Sequence, residues 1–169
     1  MPNYDEEIES MKSRLSVGRN QVEQQKIVLY AEGTKAKIKQ SEYALFTLNN
    51  LINGTPQTNV QKTPINEQEK VYFYVDSFFA FLYSSFDVIA HIINIIHHLG
   101  FSDERKVSFK VVEGKLKATH SGVPIQISAT QIVNSLTFKN LEKYRNCSTH
   151  RRQIYLKKET VTISETPGY

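Results

Sequence analysis

The stretch "KVYFYVDSFFAFLYSSFDVIAHIINIIHHLG" constrains the fold of this chain more than any other. Its apolar run from Phe78 to Ile96 is 19 residues long. A run of that length forms either a membrane span or the central helix of a helical domain. Asp87, His91 and Asn94 lie inside it, and each is costly at a bilayer centre. Its flanks carry Glu67, Glu69, Lys70, His97 and His98, without the one-sided cluster of lysine and arginine that orients a span. The reading is a buried core helix from about Glu69 to Leu99, closed by Gly100, with no membrane as partner.

The polar residues of this helix are ordered. Asp76, Ser84, Asp87, His91, Asn94 and His98 fall within one stripe at ~100° per residue. Such a stripe on a core helix needs hydrogen-bonding partners, because each unpaired buried group costs roughly 1–3 kcal/mol. A water-filled cleft, a second subunit, the solvent edge or the segment from Arg145 to His150 would each supply them. Asp87 and His91 at i, i+4 have no third ligand at a recognisable spacing, so neither a metal nor another cofactor is expected. His97 lies on another face and suits the helix C-terminus, where the dipole favours a cation.

The rest of the chain reads as helices with one β decoration. Ile8, Met11 and Leu15 mark a short amphipathic helix over 5–17, and a second helical region runs from Asn20 to Leu51 with Gly33 as a break or kink. "NGTPQTNVQKTPINEQE" reads as an exposed loop. "VSFKVVEGKLKAT" alternates around Glu113 and Gly114 and reads as a small β-hairpin, placed at 105–120, with "HSGVP" as the following turn. Ser128 and Gln131 form a capping-box pattern that opens a last helix from about Ala129 to Ser148. Beyond it the residues are too polar and β-rich to continue a helix, which gives an extended tail over 157–169.

Charge and cysteine content narrow the setting. Between Lys139 and Lys158 seven basic residues face the single acid Glu142, a local +6 in a chain whose net charge is +4. Such a patch concentrates polyanions such as RNA, with Lys143, Arg151, Arg152 and Lys157 as its contact residues. The lone Cys147 excludes an intrachain disulfide, and the acidic start "MPNYDEEIES" is unlike a secretory signal, so a cytoplasmic protein is expected.

"KYRNCSTHRRQIYL" lies at the centre of that patch. The spacing of Arg145 and His150 alone is weak evidence, since arginines and histidines meet at such distances by chance. Its context adds more. On a helix Asn146 and His150 are i, i+4 neighbours, and Arg145 is ~140° from His150, within reach of a long side chain. One helix end can therefore surround a single anion with a guanidinium, an amide and an imidazole. Cys147, within the motif, reads as a small apolar filler.

An arginine, a polar residue and a histidine four to six positions after the arginine, near the C-terminal end of a helical bundle, resemble the HEPN superfamily. Here the motif is "RNCSTH", extended by "YRNCSTHR", and "DSFFAFLYSSFDVIAH" resembles the second core helix of that family. The resemblance covers residues 40–155. It implies a mainly α fold: a HEPN-like helical bundle with a long central helix, to which the residues here add a small β-hairpin insertion. The whole of 1–169 is then one domain, with N-terminal helices over 1–35.

The resemblance further implies a homodimer joined through the motif-bearing helices. Many members are metal-independent ribonucleases of toxin–antitoxin, phage-defence and CRISPR systems, and others only bind nucleic acid, nucleotide or protein. The residue types fit RNA cleavage. Arg145 can hold two phosphate oxygens, Asn146 can orient the phosphate or His150, and His150 can move a proton near neutral pH. Ser84, Asp87 and His91 would support them. The alternative is a non-catalytic binding module of the same fold. An antitoxin is a further expected partner. HEPN toxins silenced by a nucleotidyltransferase carry a tyrosine two residues after the histidine. Here that position is Arg152, and the nearest downstream tyrosine is Tyr155, which counts against such a partner.

Overall fold

The computed structural model describes residues 6, 9–10, 19–54, 65–149, 154–157 and 160–163. The fold is mainly α. Helices α1 (Gln21–Gly54) and α2 (Ile65–Ile96) are long, a 3₁₀ turn follows at Glu104–Lys106, and α3 (Phe109–Thr119), α4 (Pro124–Asn134) and α5 (Leu136–Thr149) are short. Strands β1 (Ile154–Lys157) and β2 (Thr160–Ile163) pair antiparallel, with Ile154 opposite Ile163 and Lys157 opposite Thr160. The chain forms two compact units, Met1–Lys39 with Ser84–Val133 and Gln40–Tyr83 with Asn134–Tyr169. Ile8, Met11 and Leu15 of the expected N-terminal helix lie outside the described residues.

The first unit is built around Ile27, Ala31 and Ile92, with Tyr30, Ile95 and Ile96 packed against them. Helix α1 passes through Gly33 without interruption, which corrects the expected break. A Cβ added at Gly33 would meet Val88 Cγ1 at 3.5 Å, an ordinary contact, so the glycine sits beside a close neighbour and interrupts nothing. Helix α2 ends in an ordered turn. His98 adopts φ +47°, a region tolerated by histidine more readily than by most residues, and Gly100 adopts φ +82°. Asn94 clasps the departing chain: its amide donates to the Phe101 carbonyl (3.0 Å) and its oxygen accepts the Phe101 N–H (3.3 Å).

Residues 105–120 do not form a hairpin. They form the 3₁₀ turn and helix α3. The alternation that suggested strands also satisfies the helical period, because Phe109, Val112, Glu113 and Leu116 fall at 0, 3, 4 and 7 and all four are buried. Phe109 packs edge-on against Phe86 (5.4 Å), and its N–H donates to Asp87 Oδ1 at 3.1 Å. The Asp87 carboxylate thereby caps a helix whose own N-cap, Ser108, makes no side-chain cap bond. Buried Glu113 accepts from Lys117 Nζ (2.6 Å) and from Thr130 Oγ1 (2.7 Å), and Thr130 accepts from Gln126. Burial pushes the Glu113 carboxyl up, and the bonds from Lys117 and Thr130 outweigh it, leaving the group below the ordinary range.

Gly114 is an exposed mid-helix residue with open space where its Cβ would lie. Gly114→Ala is therefore expected to stabilise the protein by about 0.5–1 kcal/mol, read as a higher urea midpoint. A hairpin turn at that glycine predicts the opposite sign.

The second unit places Val71, Val75 and Tyr144 at its core, with Leu48, Leu51 and Phe79 against them. The expected single helix from Ala129 to Ser148 is two helices divided at Ser135. Pro124 occupies the first position of α4, as its fixed φ allows. Ser128 lies inside α4, and it is Ser135 Oγ that accepts the Phe138 N–H at 3.1 Å to start α5. Helix α2 is less enclosed than a core helix buried all round. Val71 and Val75 are buried, whereas Tyr72 and Phe73 are exposed. By length and composition Glu69–Ile96 also qualifies as a membrane-crossing helix, with 28 % of its apolar window buried within the chain.

Candidate functional site

The last two turns of α5 carry Arg145 to Thr149 of the arginine–histidine motif, and they are held from beneath. Tyr144, 2 % exposed, stacks on Phe79 (3.9 Å between centroids), and its hydroxyl donates to Asp76 Oδ1 at 2.5 Å. Burying Tyr144 fixes the rotation of the helix and leaves Lys143, Arg145 and Asn146 exposed. The Arg145 guanidinium lies over the Tyr83 ring, 5.0 Å from its centroid. Tyr83 is itself buried and packs at a tilt against Phe138 (5.7 Å), which is 1 % exposed.

The other residues expected at the site fall as follows. Arg145 and Asn146 are consecutive on α5 and Lys143 is one turn or less away. Lys157 lies on β1. His150, Arg151 and Arg152 lie outside the described residues. On α2, Ser84 is half-buried and Asp87 is engaged at the start of α3.

His91 is stacked on Tyr30 (4.7 Å, 14°) in the first unit. Burial holds its pKa below the ordinary histidine value. The Glu104 and Asp87 carboxylates oppose that shift, and Lys26 adds to it. Both rings line an open cleft of about 570 Å³, together with Lys26, Asn94, His98 and Glu104. Glu104 accepts from Lys26 Nζ (3.2 Å) and from the Tyr30 hydroxyl, which keep its carboxyl low, while burial and Glu104 raise the Tyr30 pKa.

The polar stripe of α2 thus has several partners: Tyr144 for Asp76, the Phe109 amide for Asp87, Tyr30 for His91 and the Phe101 backbone for Asn94. The His97 ring meets His120 edge-on at 5.3 Å, and burial, then His120, Arg19 and His98, lower its pKa.

Two features of this region were not read from sequence. Asp76 stood out as polar, but nothing marked Tyr144 as its partner across 68 residues. Tyr83 sits in an apolar run where it looks like any core aromatic, and only the geometry sets it under Arg145. Among the described residues no cluster of three histidine, cysteine, aspartate or glutamate side chains is placed to hold a metal.

A family model described as Cthe2314-like HEPN matches residues 34–166. No curated protein and no solved structure matches the chain.

Proposed function

Because the chain belongs to the Cthe2314-like HEPN family, we propose that it is a metal-independent endoribonuclease whose site is completed across a homodimer. The observation that carries this reading is Arg145, exposed near the end of α5 with its guanidinium set over Tyr83 and Asn146 beside it. A guanidinium so placed suits the charge that builds on phosphorus during cleavage.

In the proposed reaction His150 removes the proton of a ribose 2′-hydroxyl, and that oxygen attacks the adjacent phosphorus. The bond from phosphorus to the 5′-oxygen breaks, and the leaving oxygen takes a proton. The products are a 2′,3′-cyclic phosphate and a free 5′-hydroxyl. One imidazole cannot be base and acid at the same moment, so His150 of a second copy serves as the acid. Arg145 carries the transition-state charge, and Asn146 orients the phosphate. Lys143, Arg151, Arg152 and Lys157 guide RNA to the site through the local excess of positive charge. Such an activity in the cytoplasm suits a toxin or phage-defence component held in check by an antitoxin.

The test is digestion of RNA by the purified protein in excess EDTA. The expected result is fragments ending in 2′,3′-cyclic phosphate. Intact RNA that is merely bound would overturn the reading in favour of a binding module, and cleavage requiring added divalent metal would overturn it as well.

A further inference from the structure

We propose that Tyr83 is a positioning residue for Arg145. Its ring is a fixed platform that presets the guanidinium for the phosphate. The proposal rests on the ribonuclease reading for its kinetic consequence, and its structural part stands independently.

An exposed arginine has many rotamers, and holding it costs conformational entropy when it must bind an anion in one geometry. In this protein the guanidinium lies 5.0 Å from the Tyr83 centroid, inside the ~6 Å range in which a cation is attracted to an aromatic face. The platform can therefore restrict Arg145 toward the geometry in which it meets a phosphate.

Tyr83 can act in this way because it is itself immobile. It is 7 % exposed, and its ring packs on Phe138, one of the most completely buried side chains of the protein. Phe138 and Arg145 are seven residues apart on α5, two turns on the same side of the helix. Tyr83 thus touches the helix at two points and sets both its packing and the direction of its arginine. The Tyr144–Asp76 bond fixes the rotation of the same helix between them.

The experiment compares Tyr83→Phe with Tyr83→Leu. Tyr83→Phe keeps the ring, and kcat for RNA cleavage is expected within about threefold of the parent. Tyr83→Leu keeps apolar bulk without a π face. It is expected to lower kcat about 10- to 100-fold with KM nearly unchanged, the scale seen when a reacting group is displaced by about 1 Å. Equal kcat for both variants and the parent would overturn the proposal.

A second readout needs neither catalysis nor a variant. In the NMR spectrum of the parent protein, the Arg145 δ and ε protons should be shifted upfield by the Tyr83 ring and show cross-relaxation with it. Arg145 signals at ordinary positions would overturn the platform even if Tyr83→Leu failed to fold. A protein that shows the upfield signals but does not cleave RNA would retain the platform and lose only the ribonuclease reading.

Discussion

Arg145→Ala is expected to reduce RNA cleavage by at least about 10²–10³-fold, the loss produced when one preorganised stabiliser of a developing oxyanion is removed. The fold should be unaffected, because the Arg145 side chain is exposed and the helix is anchored through its neighbour Tyr144. Circular dichroism and the urea midpoint should therefore match the parent. Arg145→Lys keeps the charge but not the planar fork, nor the same contact with the Tyr83 ring, and should restore only a minor part of the rate. Cleavage rates in EDTA for the three proteins, with their melting curves, test this directly. A parental rate for Arg145→Ala would remove the arginine from the reaction.

The largest stability effect is expected at Phe138. Its side chain is 1 % exposed and packs against Tyr83. Phe138→Ala removes most of a buried ring and leaves a cavity, a change that costs roughly 3–5 kcal/mol. Set against a total stability of about 5–15 kcal/mol, that is a large fraction of what holds the domain together. At ~2–4 °C per kcal/mol for a chain of this size, the melting temperature should fall by about 6–20 °C. Val111→Ala, at an exposed position of α3, should change it by little. The same substitution at Phe138 undercuts the Tyr83 platform, so activity should fall even at temperatures where Phe138→Ala is folded. A melting temperature equal to that of the parent would mean that α5 is not packed as described.

The long helix was legible in the sequence because a mostly apolar run of 19 residues admits few other fates. The family was legible from the six residues Arg145 to His150, and the match over residues 34–166 confirms it. The hairpin was misread for a specific physical reason. Val107, Phe109, Val111 and Val112 favour strands by local shape, but burial of Phe109, Val112 and Leu116 on one helical face, with a cap from Asp87 twenty-two residues earlier, outweighs that preference. Ser135 was missed as a helix start because Ser128 offered the same chemistry seven residues sooner.

The polar stripe on α2 was recognised as needing partners, and those partners could not be named. Asp76 meets Tyr144 and Asn94 meets the Phe101 backbone. Tertiary contacts choose such pairs, and periodicity carries no trace of them. Tyr83 illustrates the same limit: one aromatic among many in its segment, distinguished only by what lies over it.

Under the proposed function, Arg145 and His150 together cut RNA without a metal. The most direct measurement of that reaction is the cleavage rate of purified His150→Ala in EDTA beside that of the parent protein. The parent is expected to leave 2′,3′-cyclic phosphate ends, and the folded variant to leave the RNA whole. Equal cleavage by the two proteins would contradict the proposed function.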